Sequence, residues 1–309
     1  MAVLRRRCAV PLLAVLCTAL VALPAGAAKP PASQGQTIAF QSNRGGGPDL
    51  FAVAPVGGIQ LRLTGGRFDS RDPSFSPNGN RIAFWSNRGD GAAIYVMDAD
   101  GDNVERVSQK GIGAATQPSF SPNGKQIAFV SHLGGDSEIY TMNSDDGTSP
   151  FPVLNGKSPG QDSEPVFSPD GKKIAFTRTF PGKGRDILVV DRDGTDLVNL
   201  TKSPAVDNSH PSFSADGKRI VFQTLRRGRG GYEIFSMDAD DGDHPLNLTK
   251  EAGADTQPSF SPNGKKVVFS RYVGDGTVAL FTMDADGSDQ QQITSPADGT
   301  ADIAASWGR

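Results

Sequence analysis

One seven-residue phrase, Pro-Ser-Phe-Ser-Pro-Asn-Gly, returns five times along the 309-residue chain. Its copies begin at Pro73, Pro118, Pro165, Pro211 and Pro258, and the third and fourth copies vary it slightly. The phenylalanines of successive copies, Phe75, Phe120, Phe167, Phe213 and Phe260, are 45, 47, 46 and 47 residues apart. Because a fixed period of this length is the signature of a repeat architecture, it restricts the fold more than any other feature.

Each repeat contains the elements of four short strands. In the copy at Pro73, the turn Ser76–Gly79 uses Pro to preset φ and Asn-Gly to accept tight or left-handed backbone. Three more apolar segments follow, Arg81–Phe84, Ile94–Met97 and Val104–Val107, separated by Gly-rich and Asp-rich turns. This pattern predicts an all-β meander of strands of about 4–6 residues. No sustained 3.6-residue apolar period follows the first 28 residues, so we expect almost no helix.

The second strand of the repeat supplies six copies of one apolar triplet, in which a small or β-branched residue stands between two large ones. The copies are Ile38-Ala39-Phe40, Ile82-Ala83-Phe84, Ile127-Ala128-Phe129, Ile174-Ala175-Phe176, Ile220-Val221-Phe222 and Val267-Val268-Phe269. Since neighbouring residues of a strand face opposite sides, the large pair fills one interface and the middle residue lets the next sheet approach the other. The triplets therefore predict strands that are buried on both faces.

The two ends of the chain are offset by one strand. The first triplet lacks a preceding phenylalanine strand, whereas the last repeat is followed by an isolated segment, Ala304–Gly308, whose Trp307 lies 47 residues after Phe260. Pairing of this segment with the first repeat would close the array and remove two exposed edges. We therefore predict an all-β, six-bladed β-propeller of four-stranded blades, whose ring is closed by the C-terminal strand. A linear β-solenoid is the alternative.

The first 28 residues have the pattern of a secretory signal peptide, with basic Arg5–Arg7, apolar Val10–Leu23 and small residues at Ala25–Ala28. We assign residues 1–28 to the signal peptide, 29–35 to a linker and 36–309 to the propeller. Either Sec or twin-arginine export is compatible with this segment, and the mature chain is expected to be periplasmic or extracellular. Both cysteines, Cys8 and Cys17, lie in the signal peptide, so no disulfide is expected in the propeller.

Charge argues against several classes of partner. Without the three arginines of the signal peptide, the chain carries 28 Lys and Arg residues against 34 Asp and Glu, a net charge of −6. We therefore expect a monomer that binds neither nucleic acid nor an anionic membrane. The longest apolar run, Val10–Leu23, is too short for a membrane-spanning helix and contains Pro11, so no membrane span is predicted.

The repeat resembles that of the TolB family. The segment Ser119–Phe129, which reads Ser-Phe-Ser-Pro-Asn-Gly-Lys-Gln-Ile-Ala-Phe, and the segment Glu138–Met142 carry the resemblance, and equivalents recur in every blade from about Gln36 onward. The resemblance implies a six-bladed propeller, in agreement with the count above. TolB also has an N-terminal α/β domain. Only about eight residues separate the predicted cleavage site from the first strand here, so we expect that domain to be missing.

The resemblance also implies a function. TolB works in the periplasm and binds the peptidoglycan-associated lipoprotein through its propeller. This chain is therefore expected to be a non-catalytic scaffold that binds an envelope protein, for which a peptidoglycan-associated lipoprotein is one candidate. Similar repeats form the non-catalytic propeller of prolyl-oligopeptidase-type peptidases, but no α/β-hydrolase domain is expected here. Neither enzymatic activity nor a cofactor is predicted.

Function on a repeat scaffold is expected in loops, where the blades differ. Six loops lead from an outer strand to the innermost strand of the next blade, and we predict that they gather around one mouth of the central channel. The predicted binding residues of this mouth are Asp72, Gln117, Glu164, His210, Gln257 and, from the closing copy, Asp302. Binding a partner is one hypothesis, and lining a hydrated channel without binding is the other.

Two further roles remain open for this mouth. Asp72, Glu164 and His210 could hold a channel cation if enough oxygen ligands converge. Channel carboxylates could instead serve a propeller enzyme such as a lactonase, lyase or glycan hydrolase, which is the alternative functional hypothesis. Convergence of the three side chains on one cavity would favour the enzyme, whereas a broad open ring would favour binding.

The remaining motifs have simpler interpretations. Asp-rich turns such as Asp98–Asp102 lack the spacing and distant Glu of an EF-hand, and we interpret them as strand connections. The three histidines are expected to lie too far apart to share one metal. The cluster of Arg226, Arg227 and Arg229 replaces the Ser-Asn-Arg-Gly found in other copies of its loop, and it is either solvated or a contact for an anionic partner.

Overall fold

The described part of the chain is built from antiparallel four-stranded sheets. The computed structural model describes residues 36–155, 159–203, 206–225, 231–250 and 253–308. The predicted signal peptide, the linker and Arg226, Arg227 and Arg229 lie outside these residues. Blade 1 takes its innermost strand from the C-terminus and consists of β24 (Asp302–Trp307), β1 (Ile38–Ser42), β2 (Asp49–Val53) and β3 (Leu61–Arg62).

The other five blades follow one another in chain order. Blade 2 contains β4 (Ser70–Phe75), β5 (Arg81–Ser86), β6 (Ala93–Asp98) and β7 (Glu105–Arg106), and blade 3 contains β8 (Ala115–Phe120), β9 (Gln126–Ser131), β10 (Glu138–Asn143) and β11 (Phe151–Pro152). Blade 4 contains β12 (Gln161–Phe167), β13 (Lys173–Thr179), β14 (Arg185–Asp191) and β15 (Val198–Asn199). Blade 5 contains β16 (Asp207–Phe213), β17 (Arg219–Leu225), β18 (Tyr232–Asp238) and β19 (Leu246–Asn247), and blade 6 contains β20 (Asp255–Phe260), β21 (Lys266–Gly274), β22 (Thr277–Asp284) and β23 (Gln291–Gln292).

The described residues contain almost no helix, as the lack of a 3.6-residue period predicts. One 3₁₀ turn, Leu133–Gly135, is the only helical element in the described ranges. In the same ranges no helix has the length and apolar character needed to cross a membrane.

The C-terminal strand closes the ring. The innermost strands contact one another in a circle, from β4 through β8, β12, β16, β20 and β24 back to β4. Strand β24 pairs antiparallel with β1, with Trp307 opposite Ile38 and Asp302 opposite Ser42. The indole Nε1 of Trp307 also donates a hydrogen bond to the carbonyl of Ser259 in blade 6, at 3.0 Å. The predicted six-bladed propeller with C-terminal closure is therefore confirmed.

The apolar triplets pack between blades as their size pattern predicts. Ile82 and Phe84 of blade 2 form one buried cluster with Ala39 of blade 1, and all three are fully buried. At the closure, Ile38 and Phe40 of blade 1 pack in the same way with Val268 of blade 6. Burial of each large side chain stabilises the fold by roughly 1.5–3 kcal/mol, so the interfaces hold the ring together without a disulfide.

The turn after each phenylalanine has the predicted geometry. In blade 2, Gly79 has φ +74° and its N–H donates to the carbonyl of Ser76 at 2.8 Å. The hydroxyl of Ser76 donates to Asn78 Oδ1 at 2.8 Å and accepts the N–H of Arg81 at 2.9 Å. Serine and asparagine are thus used to satisfy turn groups that the sheet leaves free.

The fourth strand is shorter than predicted. We expected a strand over Val104–Val107, but β7 contains only Glu105 and Arg106, and the outermost strand of every blade pairs through two residues. Both residues of β7 are exposed. Short, charged edges of this kind offer little backbone to another chain, which limits aggregation.

Candidate functional site

Each innermost strand contains a β-bulge at the same place, and five of the six predicted mouth residues occupy it. Between β4 and β5 the register passes from Arg71 opposite Trp85 to Ser74 opposite Ala83, so that two residues of β4 face one of β5. The other five innermost strands show the same shift. The structure therefore places these residues inside the strands, and not in the preceding loops where the sequence analysis expected them.

The first bulged residue has left-handed backbone in all six blades. Its φ is +51° at Asp72, +52° at Gln117, +57° at Glu164, +55° at His210, +53° at Gln257 and +52° at Ala304. Residues other than glycine seldom adopt this region, because Cβ then crowds the carbonyl oxygen at a cost of roughly 1–2 kcal/mol. Six repeats of a rare conformation at equivalent positions indicate that the fold imposes it. We call these six residues the channel ring.

Hydrogen bonds link members of the channel ring from one blade to the next. The backbone N–H of Glu164 donates to Oε1 of Gln117 at 3.0 Å, and the N–H of His210 donates to Oε2 of Glu164 at 2.7 Å. Likewise, the N–H of Ala304 donates to Oε1 of Gln257 at 2.9 Å. The bonds run in one direction: each side chain accepts the N–H of the following blade. Consequently these side chains are held in place by the ring itself.

Glu164 and His210 bring two ionisable side chains of the ring close together. Oε1 of Glu164 lies 3.1 Å from Nδ1 of His210, and both side chains are largely buried. The hydroxyl of Thr177 donates to Oε2 of Glu164 at 2.7 Å. On its other side, Nε2 of His210 lies 3.3 Å from Nε2 of Gln257. The imidazole therefore lies between the carboxylate of blade 4, which its Nδ1 approaches without a hydrogen bond, and the amide of blade 6.

Asp72 lies in the same ring but is bonded within its own blade. Its Oδ2 accepts a hydrogen bond from the indole Nε1 of Trp85 at 2.8 Å. Burial raises the pKa of the Asp72 carboxyl above its ordinary value, and the negative charge of Glu164 acts in the same direction. The hydrogen bond from Trp85 and the positive charges of His210 and Arg71 oppose that rise without cancelling it. Asp72 thus retains a proton more readily than an ordinary aspartate.

Asp302 differs from the other predicted mouth residues. It stands two residues before the bulge, where it is fully buried and accepts Nη2 of Arg44 on both oxygens, at 2.6 and 2.5 Å. Asp162 and Asp255 make equivalent pairs with Arg178 and Arg271. Ala304 occupies the ring position in blade 1, so that blade contributes no polar side chain to the ring.

Residues that orient the ring were missed by the sequence analysis. The indole of Trp85 donates to Asp72, and the hydroxyl of Thr177 donates to Glu164. The side-chain oxygen of Gln223 accepts the N–H of Gln257 at 2.8 Å. All three follow the phenylalanine of the apolar triplet. This position varies although the phenylalanine before it is the same in all six blades: it is occupied by Gln41, Trp85, Val130, Thr177, Gln223 and Ser270. The variation was a usable signal.

The described residues show no metal centre. Across the ranges given above, no group of three or more His, Cys, Asp or Glu side chains could hold a metal ion. Glu164 and His210 meet, but Asp72 bonds to Trp85. The other two histidines are engaged elsewhere, His132 with Ser137 at 2.9 Å and His244 with Asp238 at 2.7 Å.

Comparison with solved structures identifies similar propellers. TolB from Acinetobacter baumannii is 26% identical and superposes with a TM-score of 0.73 over 88% of this chain, which spans 66% of that protein. A structure assigned to TolB from Agrobacterium tumefaciens is 23% identical, with a TM-score of 0.67 over 90% of this chain and 99% of its own. An oligogalacturonate lyase in complex with manganese shares the fold at 15% identity, with a TM-score of 0.59 over 84% of this chain and 73% of its own.

Sequence-family comparison agrees with the structural one. No curated protein matches the chain. The family model of the TolB beta propeller domain, PD40, matches residues 67–158 and 152–308, which is most of the chain. The chain belongs to the family of TolB β-propeller domains.

Proposed function

We propose that this chain is an exported, non-catalytic propeller that binds an extended segment of an envelope protein at the channel ring. The ring itself carries the proposal, because one imposed backbone conformation presents five polar side chains, and three of them are already hydrogen-bonded to the next blade. A partner would meet a preorganised surface, so little side-chain entropy is lost on binding.

Family membership and the leader sequence support the partner class. TolB propellers are the relatives of this chain, and its first 28 residues have the pattern of a signal peptide. We propose a periplasmic or extracellular monomer whose partner is an envelope protein, with a peptidoglycan-associated lipoprotein as the first candidate. The carboxylates of Asp72 and Glu164 favour a segment that offers backbone N–H groups or an ammonium group, whereas the NH2 groups of Gln117 and Gln257 favour its carbonyl oxygens.

Site-specific photocrosslinking tests where the partner binds. A photoreactive residue at Gln117, in the ring, is expected to capture one envelope protein, whereas the same residue at Asn103, in the exposed turn between β6 and β7, should not. Equal capture from both positions, or none from Gln117, would reject the ring as the binding surface.

Affinity measurements then test the ring residues. With the captured partner purified, Glu164→Ala is expected to weaken binding at least about tenfold, because it removes a buried acceptor of two hydrogen bonds. Glu105→Ala, an exposed glutamate on β7, is the matched control and should bind like the wild type. Triple replacement of Arg226, Arg227 and Arg229 by alanine tests the anionic-partner contact in the same assay.

A propeller enzyme is the second candidate, because one observation favours it. Burial raises the pKa of Asp72 and the negative charge of Glu164 adds to the rise, so Asp72 is suited to act as a proton donor. Lactone hydrolysis, glycan hydrolysis and β-elimination from acidic polysaccharides are the reactions to assay. Turnover that disappears in Asp72→Asn, with partner binding retained, would establish this alternative.

A further inference from the structure

The connection between the third and fourth strands has a different composition in blade 1 from that in the other five blades. In each of blades 2–6 this connection contains at least two aspartates. In blade 1 it spans residues 54–60 and reads Ala-Pro-Val-Gly-Gly-Ile-Gln, without a charged residue. All six connections lie within the described residues. We call residues 54–60 the apolar turn.

The apolar turn has the same place in its blade as the acidic turns have in theirs. Gly57 lies against blade 6, where a Cβ added to it would be 3.0 Å from the carbonyl oxygen of Ile293. Gly101 of blade 2 lies in the same way against blade 1, where a Cβ would be 2.7 Å from the carbonyl oxygen of Leu63. Because each turn packs against the preceding blade, the apolar turn stands between the acidic turns of blades 6 and 2.

Two aliphatic side chains of the apolar turn are almost fully exposed. Val56 is 89% exposed and Ile59 is 86% exposed, which are the highest fractions among the large hydrophobic residues of the described ranges. Valine and isoleucine are among the residue types that proteins most often bury, and neighbouring exposed aliphatic side chains are typical of an interaction surface.

The local geometry of the turn does not account for these side chains. Gly57 has φ +81° and donates its N–H to the carbonyl of Ala54 at 2.8 Å, so a backbone hydrogen bond closes the turn. In blade 2 the place of Val56 is taken by Asp100, whose Oδ1 accepts the N–H of Asp102 at 3.2 Å. A valine cannot accept such a bond. The exchange of aspartate for valine therefore indicates a role outside the turn.

The charges on either side of the apolar turn select the partner. Three aspartates stand in or directly before each flanking turn: Asp98, Asp100 and Asp102 in blade 2, and Asp284, Asp286 and Asp289 in blade 6. Lys266 pairs with two of those in blade 6, but a single cation leaves the flanks acidic. Such flanks repel an anionic membrane and the equally acidic rim of a second copy, whereas they attract lysine and arginine.

We propose that the apolar turn docks an amphipathic basic segment of a partner protein. Apolar side chains of that segment would cover Val56 and Ile59, while its lysine or arginine side chains would face the flanking aspartates. This surface lies toward the outer part of the propeller and would bind independently of the channel ring, whose residues lie on the innermost strands.

Binding of synthetic peptides to the full chain tests this proposal. The probe is an amphipathic helical peptide of leucine and lysine, and two control peptides replace every lysine by glutamate or every leucine by serine. By fluorescence anisotropy, the leucine–lysine peptide is expected to bind at least about tenfold more tightly than either control, because it alone matches both the aliphatic side chains and the acidic flanks. Equal affinity for the leucine–lysine and serine–lysine peptides, or no detectable binding of the former, would overturn the proposal.

Variants of the turn locate the binding. Val56→Asp combined with Ile59→Asn installs the residues that blade 2 has at these places, and should weaken binding of the leucine–lysine peptide at least about tenfold although the protein becomes more acidic. Ile59→Ser alone should weaken it at least about threefold, which keeps the test decisive if the double variant misfolds. Leu197→Asn, at a 44% exposed leucine in the corresponding connection of blade 4, is the matched control and should bind like the wild type. Unchanged or tighter binding by the folded turn variants would show attraction by charge alone and would contradict docking at the apolar turn.

An aliphatic diazirine residue at position 59 identifies what covers the turn. With the leucine–lysine peptide present, crosslinks to that peptide are expected. Crosslinks that form instead to a second copy, to phosphatidylglycerol vesicles or to residues 1–35 of the same chain would show a different occupant and reject the proposal.

Discussion

The channel ring and the interfaces between blades arise from the same repeat, but their side chains vary to different extents from blade to blade. At every interface a large apolar pair meets a small or β-branched residue, and the closure between Val268 and Phe40 uses the same packing as the interior interfaces. In the ring, by contrast, the backbone conformation repeats while the side chains differ in size and charge. Uniform packing supplies a rigid frame, and the side chains vary at the ring positions, where that packing does not fix them.

Removal of the closing strand should have the largest effect on the interfaces. Deletion of Asp302–Arg309 removes the partner strand of β1, the Trp307 contact with Ser259 and the Asp302 pair with Arg44. We expect aggregation or loss of cooperative unfolding, measured by size-exclusion chromatography and thermal denaturation, because blade 1 would expose an unpaired edge. Deletion of Arg309 alone is the control. A monomeric truncation product with an unchanged Tm would contradict closure by β24.

A large-to-small substitution compares one interface with the ring directly. Phe84→Ala should destabilise the protein by about 3–5 kcal/mol in urea denaturation, because Phe84 is fully buried and leaves a cavity between blades. Gln117→Ala, at a half-buried ring position, should cost only about 0.5–1.5 kcal/mol through the lost hydrogen bond to Glu164. Similar losses for both variants would show that the ring is part of the structural frame.

The buried ion pairs offer a comparison between neighbouring blades. Asp162→Ala leaves the guanidinium of Arg178, which is 2% exposed, without its carboxylate, and should cost about 3–5 kcal/mol. Asn208→Ala at the equivalent position of blade 5 removes a neutral side chain and should cost clearly less, again by urea denaturation. Equal costs would indicate that Asn208 has a structural bond equivalent to the ion pair.

The smallest expected effect is the pH dependence that Asp72 contributes. Because the folded protein raises its pKa, the unfolded chain loses this proton first, so stability falls as pH rises from the ordinary value of 3.8 through the folded pKa. Asp72→Asn keeps an acceptor for Trp85 and should be the more stable protein at pH 7, with the difference vanishing toward pH 3. Thermal unfolding of both proteins across this range measures it. A difference that grows toward low pH would contradict a raised pKa.

Much of the frame could be predicted because its signals are local and repeated. The spacing of Phe75 and its equivalents, the triplets and the orphan segment around Trp307 were sufficient for blade number and closure. The fourth strand was overestimated, because an apolar pattern over Val104–Val107 does not show how far the next blade allows pairing to extend. The ring residues were identified from their place before the phenylalanine motif, but their backbone was not anticipated.

The contacts within the ring were beyond sequence reasoning for a physical reason. Gln117 and Glu164 are 47 residues apart and meet only because two bulges face each other across a blade boundary. Asp302 and Ala304 lie only two residues apart on β24, yet Asp302 is paired with Arg44 whereas Ala304 occupies the ring, because the bulge begins after Ile303. The spacing of the repeat predicted that Asp302 lies in the mouth, whereas the folded chain pairs it with Arg44 before the bulge.

The amino-acid sequence by itself determined the number of blades, their packing order and the closing strand, because each of these follows from a pattern written into every repeat. The tertiary structure alone decided which side chains meet: the left-handed bulge, the Glu164 and His210 pair and the Asp72 environment. These features depend on differences between neighbouring blades, and such differences acquire meaning only when the ring brings the blades into contact.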